Sequence, residues 1–332
     1  MTSAASRTVI VCFGEALIDF LARPPEKPGA PRQFVEYAGG APANVAVAAA
    51  RLGGSSRFIG MLGQDMFGDV LASQFAAAGV DIRYTQRTSA ARTALAFVSL
   101  DADGERSFSF YRPPAADLLF REQHFGPGCL DDAAVFHVCS NSLTELDIAA
   151  STLAGMRLAR EAGALVSMDL NLRPSLWPEG FDPAPRLWAA LLEADLVKLC
   201  RAELHFLAQP LGSDDEVLGR LLGGRAHCVL ITDGAAPVRW FTRTAHGVAP
   251  TFATTPVDTT AAGDAFVGAL LTRMVAQKVA ASNFAEFLAE PSALNHALRH
   301  AAASGALATT RHGAFAAMPT STEVEALMRA NA

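Results

Sequence analysis

The chain has 332 residues, of which 51% are apolar and 18% charged. That much apolar side chain can offset chain entropy, which excludes an intrinsically disordered protein, and the length suits one or two globular units. The net charge of −6 argues against general binding to nucleic acid or to an anionic membrane, so an anionic ligand has to be held by local groups. No stretch free of Asp, Glu, Lys and Arg reaches the roughly 18 residues that a spanning helix needs. Met1 to Arg7 show no basic region followed by an apolar one, so secretion is not expected. The cysteines Cys12, Cys129, Cys139, Cys200 and Cys228 are odd in number and scattered, which reads as reduced thiols in a cytoplasmic protein.

In chain order, a core-like strand at Thr8–Phe13 is followed by strands at Leu17–Arg23 and Arg32–Ala38 and a helix at Ala43–Leu52. A strand at Ser56–Met61 and a helix at Met66–Ala78 come next. Thr93–Leu100 and Arg106–Arg112 then read as two strands around a turn at Asp101-Ala-Asp-Gly104. From there the rhythm is β-α-β: strands at Ala134–Val138, Ala164–Met168, Asp195–Leu199 and His227–Thr232, with helices at Leu146–Glu161 and Pro183–Glu193. Two short strands and a cluster of helices from Gly263 onward complete the chain. Apolar runs of strand length alternating with helical periods predict a mostly parallel sheet between helices. The strands from about 17–38 and 93–112 form a small β appendage, and residues 1–332 make one α/β domain.

Two segments can carry chemistry. In Val257-Asp258-Thr259-Thr260-Ala261-Ala262-Gly263-Asp264, the small residues Ala261, Ala262 and Gly263 let a ligand approach the backbone at a helix start, where unsatisfied N–H groups and the dipole favour an anion. Asp264, in the first turn beside that site, can take a proton from an attacking hydroxyl, a step worth roughly 10² to 10⁴ in rate. The same residues also suit an ordinary helix start with a dipole-favoured Asp. The second segment is Gly39-Gly40-Ala41-Pro42-Ala43-Asn44, a glycine turn feeding a helix, with Asn44 able to donate and accept toward a polyhydroxylated ligand. An ordinary turn before an alanine helix is the alternative.

Taken together, about 210 residues apart and in this order, these segments resemble the two signature regions of the ribokinase-like, PfkB-type carbohydrate kinases. The resemblance covers nearly the whole chain and is most similar to bacterial fructokinases. It implies a ribokinase-like fold in which the appendage is a lid, ATP as phosphoryl donor with Mg²⁺, and Asp264 as general base beside an anion hole at Ala261, Ala262 and Gly263. By the same resemblance Asp19, Gly39, Gly40, Asn44, Arg112, Asn171 and Arg173 bind the sugar, and Thr232 and Gly234 the nucleotide. Glu203 organises Mg²⁺ through water, and Asp258 with the Thr309–Gly313 loop holds K⁺. The pattern departs from the family at Cys200, where Asn is common, at Ala235-Ala236-Pro237 after the Thr-x-Gly turn, and at Ala302, where an Asn would touch nucleotide.

The implied reaction is phosphorylation of the primary hydroxyl of D-fructose. The alternatives are 2-keto-3-deoxygluconate, whose carboxylate needs a cation such as Arg112 or Arg173, a nucleoside or aminoimidazole riboside, or a non-catalytic sugar-binding regulator on the same fold. The expected partners are a sugar and ATP, with no nucleic acid and no membrane, and a homodimer through the lid. There is no G-x-x-x-x-G-K-[ST], which excludes a P-loop. His296 and His300, spaced i, i+4, lack a visible third metal ligand. Ser140-Asn141-Ser142 follows a strand end and reads either as a sugar contact or as a plain loop.

Overall fold

The computed structural model describes residues 7–23, 27, 29–100 and 106–331. Residues Met1–Ser6 and the turn expected at Asp101–Gly104 lie outside them. The first part runs β1 (Val9–Phe13), β2 (Leu17–Arg23), β3 (Gln33–Gly39), α1 (Ala41–Arg51), β4 (Ser55–Ile59), β5 (Met61–Gly63), α2 (Met66–Ala78), β6 (Gln86–Thr88), β7 (Ala94–Leu100) and β8 (Arg106–Tyr111). The β-α rhythm follows: β9 (Ala133–Cys139), α3 (Leu146–Glu161), β10 (Leu165–Asp169), α4 (Ala184–Leu191), β11 (Leu196–Cys200), α5 (Arg201–Ala208), α6 (Asp214–Gly223) and β12 (Cys228–Asp233). The chain continues through β13 (Ala236–Thr242), β14 (His246–Ala249), α7 (Ala262–Ala276), α8 (Phe284–Leu288), α9 (Pro291–Ala308) and α10 (Ser321–Ala330).

The central sheet has the order β14-β13-β12-β11-β10-β9-β1-β4, parallel except at β13 and β14. Its strands are near-continuous apolar runs because both faces are covered. Period-two alternation divides them: Ile10, Cys12, Leu165, Leu196 and Leu230 pack with α1, α7 and α9, while Val11, Phe13, Val166, Val197 and Val229 pack with α3 to α6. The alanine surplus has a structural use here, since Ala43, Ala46, Ala48, Ala49, Ala265 and Ala269 are fully buried where α1 meets α7. At Gly268, a side chain would strike the Ala48 Cβ at 2.6 Å. Among the described residues no helix is long and apolar enough to cross a membrane, and the cysteines are free thiols.

The strand expected at Ser56–Met61 is broken. Gly60, where any Cβ would collide with the Gly14 carbonyl, lies between β4 and β5, and β5 leaves the main sheet to pair with β6. A separate four-stranded sheet, β3-β2-β7-β8, carries Asp19 on one face and an aromatic ridge on the other. In that ridge Phe97 lies 5.2 Å from Phe20, 5.4 Å from Phe34 and 5.3 Å from Tyr111 between ring centres.

Candidate active site

Glu15, Asn141, Asn171, Cys200 and Asp233 stand at or just beyond the carboxyl ends of β1, β9, β10, β11 and β12. In an open α/β sheet this edge is where ligands bind. The glycine turn is forced by crowding: Gly40 has φ 106°, and a Cβ on it would lie 2.6 Å from the Glu15 carbonyl oxygen. The buried Glu15 carboxylate accepts the Ala41 N–H (3.1 Å) and the Asn141 side-chain amide (2.9 Å), fixing the start of α1. A side chain on Gly39 would run into the Asp19 carboxylate, so the glycine keeps that group's place open.

Asp264 lies in the first turn of α7, after Ala261 in a left-handed conformation (φ 59°) that turns the chain into the helix. The amides of this turn have no intrahelical acceptor and present the positive end of the helix. The Asp264 carboxylate is buried. Oδ2 accepts the Asn44 amide at 2.7 Å across 220 residues of sequence, and Oδ1 accepts the Asn171 amide at 3.0 Å. Asn171 itself has φ 45°. The carbonyl oxygens of Asn44 and Asn171 are buried beside the carboxylate without a protein partner.

Electrostatics reinforce the grouping. Burial pushes the Asp264 pKa up to about 7, against the Asn44 hydrogen bond and with the help of Asp169. Asp19 is likewise pushed up to about 7, by burial first and then by the charges of Asp264 and Asp258. Arg173 is exposed and lowers both. The structure therefore gathers Asp19, Gly39, Gly40, Asn44, Asn171, Arg173 and Asp264 at one place.

Glu203 caps α5 reciprocally with Cys200: its Oε2 accepts the Cys200 N–H at 2.7 Å, and its Oε1 accepts Leu172 N–H at 2.8 Å. Cys200, a departure from the family pattern, thus has the role of a helix cap. Both Glu203 oxygens hold backbone amides yet keep lone pairs free for water. Asp258 ties two loops, accepting Thr260 N–H at 2.7 Å and Gly313 N–H at 3.1 Å. Thr232 and Gly234 stand at the end of β12, with Gly234 at φ 53°. Ala302 is buried in the core on α9.

Arg112, expected to hold substrate, is buried and engaged by protein groups: Nε and Nη2 grip Asp117 Oδ2 at 2.9 and 2.5 Å, and Nη1 meets Thr144 Oγ1 at 3.2 Å. A buried guanidinium is stable only when so paired, and its charge also acts on Glu15. The two histidines sit elsewhere, at a cavity of about 330 Å³ between α7, α9 and α10. There His296 meets Arg273 at 3.1 Å, and no metal-binding group of three is found among the described residues.

Sequence reasoning passed over Glu15 and Lys198, and read Asn141 only as a sugar contact or a plain loop. Glu15 and Asn141 lie in segments it quoted, but their pairing is tertiary. Lys198 carried a signal that went unused: it is one of only three lysines in the chain and interrupts an apolar strand. It is bonded to Asp169 at 2.9 and 3.1 Å.

A model of the pfkB family carbohydrate kinases matches residues 7–321. Fructokinase-1 of Zea mays is 42% identical over 97% of this chain and 98% of its own length. Among solved structures, the fructokinase of Xylella fastidiosa with bound ATP is 55% identical with a TM-score of 0.94, covering 98% of this chain and 99% of that one. The fructokinase of Vibrio cholerae O395, bound to fructose, ADP and calcium ion, is 32% identical with a TM-score of 0.83, covering 98% and 99%.

Proposed function

The chain belongs to the pfkB family of carbohydrate kinases, and from that premise we propose that it transfers the γ-phosphoryl group of ATP to the primary hydroxyl of D-fructose, giving fructose 6-phosphate and ADP. The observation that carries this reading is the buried Asp264 carboxylate, held between two carboxamides at the amide-rich start of α7. The hydroxyl oxygen attacks the γ-phosphorus in line and forms the new O–P bond. The bond from that phosphorus to the β,γ-bridging oxygen breaks, its electron pair leaving on ADP, while Asp264 accepts the hydroxyl proton. A pKa near 7 matches that task at neutral pH, because a base works best when its pKa lies close to the operating pH. The amides around Ala261, Ala262 and Gly263 face the charge on the transferred group, and positioning and electrostatics supply the rate.

Asp19, the Asn44 and Asn171 carbonyls and Asp264 form an acceptor-rich lining suited to the hydroxyls of a neutral polyol. A substrate carboxylate would face Asp19 and Asp264 with Arg173 alone among the substrate cations first expected, since Arg112 is engaged by Asp117. That disfavours 2-keto-3-deoxygluconate. Magnesium ion fits as a companion of the phosphates: Glu203 would hold it through water, and the ion offsets phosphate charge. Asp258 would place the loop at Gly313 for K⁺, and replacing K⁺ by tetramethylammonium reads that role. The small sheet acts as a lid whose Asp19 face closes over the sugar, and a homodimer through its edge strands and a cytoplasmic location complete the reading.

A coupled ADP-release assay over fructose, 2-keto-3-deoxygluconate, ribose and adenosine tests it. Fructose should give the highest kcat/KM. Preference for another acceptor would reassign the substrate, and no turnover with any of them would favour a sugar-binding regulator.

A further inference from the structure

Lys198 is nearly fully buried in β11, yet it carries a charge. Burial works against that charge, but Asp169 and Glu203 outweigh it and push the pKa up to about 12. Its ammonium bonds both oxygens of Asp169, itself 1% exposed. The position is telling: a Cβ built on Gly263 would lie 3.1 Å from Lys198 Nζ, with Asp169 Oδ2 next at 4.0 Å. The cation thus lies directly against the glycine whose amide belongs to the anion site, and a side chain at Gly263 would crowd it. An arrangement serving only to neutralise Asp169 would not need to abut the start of α7.

We propose that Lys198 is a positioning residue for phosphoryl transfer: its fixed charge, held by Asp169 behind Gly263, strengthens the anion site for the group in flight. The inference rests on the kinase reading. It adds a cation that the anion site draws on through the Gly263 backbone, in a setting of low dielectric where such a charge is worth far more than in water. It also answers a charge imbalance, since Asp169, Glu203, Asp264 and Asp19 crowd a site that must admit a polyphosphate.

The wild-type protein offers a direct readout, because only Lys27, Lys198 and Lys278 carry ammonium groups on side chains. In protein labelled with ¹⁵N-lysine, the Lys198 signal, assigned by its loss in Lys198→Arg, should move on adding ADP, Mg²⁺, aluminium fluoride and fructose, and stay in place with fructose alone. No movement with the aluminium fluoride complex would overturn the proposal. A second measurement uses Lys198→Met/Asp169→Asn, which removes both charges and leaves no buried ion unpaired. Its kcat should fall roughly 10² to 10³-fold, with fructose KM and ADP affinity within about threefold of wild type and aluminium fluoride affinity, read by tryptophan fluorescence, reduced in step with kcat. Near-wild-type kcat in that variant, while wild type turns over fructose, would reduce the pair to a structural one and leave the kinase reading intact.

Discussion

Asp264 has one carboxylate oxygen on Asn44 and the other on Asn171, and the carbonyl oxygen of each carboxamide is buried without a partner. Replacing it by Asn removes the proton acceptor but keeps the volume, and either neighbour can rotate to satisfy the new amide. Asp264→Asn should therefore lower kcat by about 10² to 10⁴-fold with ATP affinity nearly unchanged, as measured by turnover and by calorimetric titration. The wild-type log kcat should rise with pH to a plateau above about 7, the titration of this carboxyl in its setting of Asp19, Asp169, Arg173 and Lys198. Stability moves the opposite way. In the fold this carboxyl holds its proton to about pH 7, and in the unfolded chain only to about 4, so the folded state binds more protons between those limits. The associated stability is complete below about pH 4 and is lost as pH rises through 7. Asp264→Asn should accordingly melt a few degrees above wild type at pH 8, with the difference closing toward pH 4 in a calorimetric scan.

Among the elements, the end of β8 matters more than its strand residues. Arg112 follows that strand and pins Asp117 in the next turn through a buried ion pair and Thr144 after β9 through a hydrogen bond, so the end of the small sheet is tied to the turn that follows β9. Arg112→Met would strand Asp117 as an uncompensated buried charge, and breaking such a pair costs about 3–5 kcal/mol. Urea denaturation should show that loss, and Arg112→Met/Asp117→Asn should recover most of it. If the single variant instead keeps full stability but loses fructose affinity, Arg112 returns to the role of a substrate ligand. The helix starts divide by how local their cause is. Asp65 and Ser213 cap α2 and α6 with their own side chains, a signal readable in sequence. Cys200 caps α5 against expectation, and the start of α7 depends on a left-handed alanine that no propensity favours.

For the whole molecule, the small sheet brings Asp19 close enough to Asp264 and Glu15 for their charges to act on it, and Gly39 on the neighbouring strand leaves its carboxylate room. The opposite face of the small sheet leaves Tyr111 68% and Phe34 38% exposed. A lid closing over sugar should slow amide exchange in β2, β3, β7 and β8 when fructose and a non-hydrolysable ATP analogue are present, measured by mass spectrometry. Unchanged exchange there, with fructose bound, would mean a lid already shut. The sequence by itself determined the alternation of strands and helices, the two-faced burial of the main sheet, the detachment of four strands and the motifs at Gly39–Asn44 and Ala261–Asp264. Each of these depends on periodicity, turn chemistry or small residues within one short segment. Only the tertiary structure decided that Asn44 and Asn171 share Asp264, that Lys198 abuts Gly263, and that Arg112 is buried against Asp117. Those contacts join residues from different strands and helices, or depend on whether a charge is buried, and a pattern along the chain records neither.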